Sequence, residues 1–182
     1  MRLFFALWPD PETRTRIAEV AAAAARSLGR EARPVPPENY HVTLAFVGEV
    51  PNARLALLQQ IGSAQRAAGC TIQVDRYEYW REPQVLVAAA SQSPAALSLL
   101  QTRLHQELVL RQADLRLKSP SPSLRAHVTL ARKVVQASVL QAMSPLLWCA
   151  QSFSPVRSEM SGVHSVYTVV DTWQLLDEMA EQ

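Results

Sequence analysis

His41-Val42-Thr43-Leu44-Ala45 recurs as His127-Val128-Thr129-Leu130-Ala131, and each copy opens with one of the chain's four histidines. Each copy alternates polar and apolar residues and carries β-branched Val and Thr, the pattern of a half-buried strand. Side chains two apart on a strand share a face. His41 and Thr43 therefore point one way and Val42 and Leu44 the other, and His127 and Thr129 lie opposite Val128 and Leu130 in the same manner. The apolar faces belong to a core, and the His/Thr faces are left for something polar. The duplication predicts two halves related by a pseudo-two-fold, with both imidazoles in the groove between them.

Such a groove suits phosphoryl chemistry. One imidazole takes a proton from an attacking oxygen while the other gives one to the leaving oxygen. The Thr43 and Thr129 hydroxyls, each donor and acceptor, can hold non-bridging phosphate oxygens. The alternative is two core strands with incidental histidines, and it suits a single His-x-Thr better than a duplicated one.

The rest of the chain follows the same repeat. Leu3 to Trp8 reads as a buried strand, Asp10 as a helix N-cap with Pro11 at the first helical position, and Gly29 as the C-cap of a helix carrying Ile17, Val20, Ala21, Ala24 and Leu28. The extended segment Arg33–Pro37 feeds the first motif strand, which ends at Gly48 and Pro51. A helix is predicted from about Asn52 to Ala68 and a strand from Thr71 to Tyr79, with a turn at Glu82-Pro83. The order then restarts. Val85–Ala90 is a buried strand, Ser93-Pro94 starts a helix with Leu97, Leu100, Leu104 and Leu108, and a loop Lys118–Ser123 precedes the second motif. A short helix over Gln136–Met143 and two strands, around Leu147–Met160 and Ser165–Leu175, complete the chain. The expected fold class is α+β: one bilobal domain over 1–182, its halves approximately 1–82 and 83–182, with mainly antiparallel sheets around a central groove and helices outside. Whether strands exchange between the lobes is open at this level.

Composition narrows the function classes. The 182 residues are 48% hydrophobic, enough for a core, and 12 Pro against 5 Gly argue against a long flexible linker. The formal net charge of +2 is too mild for a general nucleic-acid binder, but Gln101–Lys133 holds seven basic and two acidic residues, a local field that attracts phosphates. Cys70 and Cys149 read as reduced core thiols of a cytoplasmic protein. The apolar start is too short for a signal peptide, and no run approaches a membrane span. No metal-ligand spacing, nucleophile elbow or phosphate-binding glycine loop occurs. His105, in the Leu-rich helix, reads as a boundary or surface residue.

The paired HVTLAF and HVTLAR resemble the two signature motifs of the two-histidine phosphoesterase superfamily, and more narrowly those of the bacterial RNA 2′,3′-cyclic phosphodiesterases, also known as 2′-5′ RNA ligases. Arg2-Leu3-Phe4-Phe5-Ala6-Leu7, Pro36-Pro37-Glu38-Asn39-Tyr40, Phe46-Val47-Gly48 and Ser158…Tyr167-Thr168-Val169-Val170…Trp173 extend the likeness over nearly the whole chain. His164 stands near where members of that family usually have Gly. The resemblance implies metal-independent, cofactor-free hydrolysis of a terminal 2′,3′-cyclic phosphate to a 2′-phosphate, with His41 as proton donor and His127 as proton acceptor. From the residues alone the motifs are near-symmetric and the two roles interchangeable. Alternatives are 2′-5′ ligation in the same groove, or a silent module that binds RNA ends. The implied partners are RNA ends or nucleoside 2′,3′-cyclic phosphates, with no membrane and no obligate protein partner evident. Phe46 and Arg132, each five residues after its histidine, are associated in that family with holding the terminal nucleotide, and Tyr167 is a further lining candidate. Strict alternation puts Phe46 and Arg132 on the face opposite the histidines, so that Phe46 would be core; strand twist or a bulge would bring both round.

Overall fold

Strand β1 (Arg2–Leu7) runs antiparallel to β3 (Val42–Glu49), and Leu3, Phe5 and Leu7 bury their side chains in the main core while Phe4 and Ala6 face the other way. This computed structural model describes residues 1–111, 124–135, 142–161 and 164–176. Between the two strands lie helix α1 (Pro11–Ala25) and the two-residue strand β2 (Arg33–Pro34). Asp10 caps α1 as its sequence predicts: the carboxylate accepts the Thr13 N–H at 2.9 Å and the Thr13 hydroxyl at 2.6 Å, with Pro11 next. The helix stops earlier than Gly29. Its C-cap is Arg26, where the Ser27 and Leu28 N–H groups turn back to Ala24 and Ala25 in a tighter i→i+3 pattern.

Helix α2 (Leu55–Ser63) is also shorter than expected. The Gln65 side-chain amide donates to the Ile61 carbonyl at 2.9 Å and Arg66 to that of Ser63 at 3.1 Å, so side chains satisfy the last turn and release the chain. Strand β4 (Cys70–Trp80) and the wholly buried β5 (Val85–Ala90) follow, then α3 (Ala95–Arg111), which buries Leu97, Leu100, Leu104 and Leu108. His105 is a correction to the sequence reading. It is only 7% exposed, because α3 packs against both β3 and α2 and its buried stripe is wider than the leucine line.

The second motif is β6 (His127–Arg132), followed by β7 (Leu146–Ala150), β8 (Ser152–Ser161), β9 (His164–Val169) and β10 (Trp173–Gln174). Four strands thus stand where two were expected. The first run divides at Gln151, because β7 pairs with β4 in one sheet and β8 with β1 in the other. The second divides at the Asp171-Thr172 turn, and both of its pieces pair with β8. The Lys118–Ser123 loop and most of the Gln136–Met143 helix lie outside the described residues. Cys70 is buried, but Cys149 is exposed rather than core: β7 alternates, and Cys149 takes its solvent face beside Thr71.

The fold is α+β with two sheets of antiparallel strands, ordered β10-β8-β1-β3 (β9 on β8) and β2-β6-β5-β4-β7. Strands do exchange. β4, from the first half, pairs with β5, while β8, from the second, pairs with β1; β2, just before the first motif, pairs with the second motif strand β6. One core runs under both sheets, and β3 and β6 lie against each other at the seam.

Candidate active site

The histidine faces are set by register. Directly paired residues of an antiparallel ladder share a face. Thr43 pairs with Ala6 and Phe46 with Phe4, and Phe4 and Ala6 form a small apolar patch with Val156 on the side away from the main core. Across the seam, His127, Thr129 and Arg132 pair with Ala89, Val87 and Val85, which form the corresponding patch on β5. Val42, Leu44, Val128 and Leu130 are buried in the core, as their alternation predicts.

Phe46 and Arg132 do not obey alternation. The register of β1 on β3 shifts between Phe5–Ala45 and Ala6–Thr43, and that of β5 on β6 shifts between Leu86–Ala131 and Val87–Thr129. Each motif strand carries one extra residue there, Leu44 or Leu130, and an extra residue flips everything beyond it. Phe46 therefore leaves the main core and packs against the Phe4, Ala6 and Val156 patch, with the Arg2 guanidinium 4.9 Å from its ring centroid. The same device turns Arg132 to the side of His127 and Thr129.

Both imidazoles are held alike. His41 Nδ1–H donates to the Asn39 carbonyl and His127 Nδ1–H to the Arg125 carbonyl, each at 2.7 Å and each to the residue two before. A carbonyl only accepts, so this bond fixes the neutral tautomer and leaves Nε2 of each ring as the proton acceptor. Aromatic rings then wedge His41: Trp8 stacks on it at 5.6 Å and 10°, Phe4 lies at 4.9 Å, and Tyr167 meets it edge-on at 5.3 Å. His127 rests on Trp80, with centroids 4.5 Å apart. The Trp80 indole N–H donates to Glu78 at 2.9 Å, and the other Glu78 oxygen pairs with Arg125 at 3.0 Å.

Charge follows from these surroundings. Burial pushes His41 down to about 4 against the upward pull of its bond to Asn39, and Arg132 and His127 press it lower. Burial also lowers His127; its bond to the Arg125 carbonyl and the Glu78 carboxylate pull upward, and the Arg125 guanidinium presses down.

A cavity of about 280 Å³ opens at the seam. His41, Thr129, Arg132 and Tyr167 line it together with Asn39 and Arg33, while Thr43, Phe46 and His127 lie outside its lining. Trp8, Phe4, Trp80, Glu78 and Asn39 were not singled out as site residues from sequence. Their signal was positional: Asn39 and Arg125 each precede a motif histidine by two, Trp8 directly follows β1 and Trp80 ends β4. Among the described residues no cluster of three or more His, Cys, Asp or Glu could hold a metal ion.

Two imidazoles anchored alike on bulged twin strands, with a hydroxyl two residues beyond each, define a phosphoesterase of the two-histidine kind. The model of the LigT-like phosphoesterase family matches residues 7–87, which include the first motif. The RNA 2′,3′-cyclic phosphodiesterase of Thermus thermophilus is 31% identical over 98% of this chain and 92% of its own, and the protein of that name from Escherichia coli is 26% identical over 96% of each. The crystal structure of E. coli LigT complexed with 3′-AMP superposes with a TM-score of 0.81 at 25% identity, covering 96% of this chain and 97% of that one. The chain belongs to the LigT-like family of two-histidine phosphoesterases.

Proposed function

We propose that this chain is an RNA 2′,3′-cyclic phosphodiesterase that opens a terminal 2′,3′-cyclic phosphate to a 2′-phosphate. The observation that carries this reading is the matched pair of Nδ1-anchored imidazoles on twin strands, which suits an in-line displacement needing one base and one acid. Water attacks phosphorus, the P–O3′ bond breaks, the base takes the water proton and the acid delivers one to O3′. The product is a 2′-phosphomonoester and a free 3′-hydroxyl, with no redox change.

His127 is the base in this scheme and His41 the acid. Glu78 supports that order: a carboxylate beside His127 stabilises the imidazolium that forms when the water proton is taken. His41, held low chiefly by burial and further by Arg132, is a strong proton donor once charged, and an anionic phosphate bound beside Arg132 offsets the guanidinium's field and favours the charged ring. Thr43 and Thr129 donate to the non-bridging oxygens, and Phe46, Arg132 and Tyr167 hold the terminal nucleotide. The reaction asks for no metal or cofactor. No helix of the described residues is long and apolar enough to cross a membrane, and RNA ends as substrate suit a cytoplasmic enzyme.

The test is incubation of an oligonucleotide ending in a 2′,3′-cyclic phosphate with excess EDTA, followed by determination of the phosphate position. Accumulation of the 2′-phosphate is expected. Stoichiometric binding with no product would leave only an RNA-end binding module, and a 3′-phosphate would reverse the choice of leaving oxygen.

A further inference from the structure

Three cations, Arg33, Arg132 and Lys133, line the active-site cavity, and the fold puts them there against its own local preferences. Arg33 of β2 and Arg132 of β6 are direct partners in an antiparallel ladder, and both line the cavity that holds His41 and Thr129. Like charges placed directly opposite destabilise a ladder. Lys133 follows Arg132, and alternation alone would send it to the far face. Its backbone instead takes the left-handed conformation, φ 54°, braced by the Val134 N–H on the Gln84 carbonyl at 3.0 Å, and Lys133 lines the same cavity. A left-handed non-glycine residue is itself unfavourable, and such outliers gather where a ligand is held. Among the described residues the cavity lining holds no carboxylate, and none of the three cations has an acidic partner. Anions are what such a cluster lacks.

We propose that Arg33 and Lys133, the ladder partner and the chain neighbour of Arg132, form a subsite for the phosphate one nucleotide upstream of the reacting one, so that the chain prefers an RNA end to a lone nucleoside cyclic phosphate. This rests on the phosphodiesterase reading for the position of the reacting phosphate. A 2′,3′-cyclic phosphate closes the 3′ end, so the strand continues in the upstream direction only, and its next anion is the 5′-phosphate of the terminal nucleotide. Arg132 links the two sites: it lines the cavity with Thr129, pairs with Arg33 across the ladder and precedes Lys133 in the chain, and the side chains of Arg33 and Lys133 are exposed and able to close on a phosphodiester with charge-assisted bonds.

The experiment compares three substrates: adenosine 2′,3′-cyclic phosphate, the same compound with a 5′-phosphate, and the dinucleotide ApA ending in the cyclic phosphate. The protein as it stands should favour the last two over the first by about tenfold in kcat/KM, mainly through KM, the scale of an exposed hydrogen bond to a charged group. In the R33A/K133A double variant that ratio should collapse to about one, and in R33K/K133R it should largely survive. The advantage should also shrink as salt rises. No upstream preference in the unmodified protein, or a ratio that R33A/K133A leaves intact, overturns the proposal. A gain confined to ApA assigns the preference to the second base and overturns it too. If none of the three substrates is cleaved, the phosphodiesterase reading fails by itself. The subsite is then judged by titrating 3′-AMP against ApA 3′-phosphate: tighter binding of the dinucleotide, lost in R33A/K133A, supports it, and equal binding overturns it.

Discussion

The two histidines occupy copies of one motif and make the same 2.7 Å bond to a backbone carbonyl, yet they sit in different electrical surroundings. Around His41 are three aromatic rings, with Arg132 acting on it as a like charge; among the described residues the one carboxylate that shifts either imidazole is Glu78, and it acts on His127. Around His127 is a closed chain of contacts. Glu78 grips Trp80 and Arg125, and those two hold the ring and the Nδ1 proton. The two motif copies carry equivalent imidazoles, but burial takes His41 down to about 4, while His127, also lowered by burial, has a carboxylate pulling it upward. Neighbours that push two titratable groups apart in this way favour a division into acid and base, although the bound substrate's geometry sets which imidazole faces which oxygen.

The largest expected effect is on the histidines themselves. His41→Ala and His127→Ala should each lower turnover of a 2′,3′-cyclic phosphate by at least about 10²-fold, with the double variant little below the worse single, since the pair acts as a unit. A substrate with a good leaving group at O3′ needs little protonation, so it should rescue His41→Ala and not His127→Ala. Rescue of the other variant would invert the assignment, and near-full turnover by either would end the two-histidine mechanism.

The hydroxyls come next. Thr43→Val and Thr129→Val keep the branched shape and the strand preference but lose the donor, and each should cost about tenfold in kcat, clearly more than Thr→Ser. Equal losses from Val and Ser would point to packing.

Folding should register the same asymmetry. His41 is held at about 4 against an ordinary 6.5, so between those values the unfolded chain binds a proton that the folded one refuses. Stability from this group is complete above pH 6.5 and falls as pH drops towards 4, by about 3 kcal/mol in total. His105 and His127, also lowered by burial, add losses of the same sign. Urea melts at pH 7 and pH 4.5 should show this decline, and His41→Gln should flatten it. An unchanged slope would mean that His41 is not desolvated.

The profile of kcat/KM should be a bell whose apex lies on the acid side of 6.5, because both imidazoles are depressed whichever is acid and whichever base. An apex at or above 6.5 would contradict the burial of the pair. The smallest effect is expected at Glu78. Glu78→Gln keeps a hydrogen-bonding group against Trp80 but removes the charge, so the His127 titration followed by NMR should move down while that of His41 hardly moves, with a few-fold loss in kcat. Equal movement of both would erase the distinction between the two sites.

Much of this site was legible in residue order. The repeated five residues identify the two strands, the i, i+2 rule puts each histidine with its threonine, Asp10-Pro11 marks where α1 starts and the leucines of α3 mark its buried face. These features depend on neighbours within a few residues, and local sequence encodes them. Helix ends were less legible, since Gln65 and Arg66 stop α2 by reaching back to its carbonyls. Tertiary structure decided the remainder. A bulge is a mismatch between two strands, so neither HVTLAF nor HVTLAR alone reveals that Leu44 and Leu130 are the extra residues that turn Phe46 and Arg132 to the histidine face of their strands. Only long-range pairing puts β2 on β6 and so sets Arg33 opposite Arg132. The burial of His105, from two elements packing on α3, and the Glu78 contacts that separate the two histidines arise in the same way: each depends on which distant strand or helix comes to lie alongside, and that is settled by the packing of the whole core.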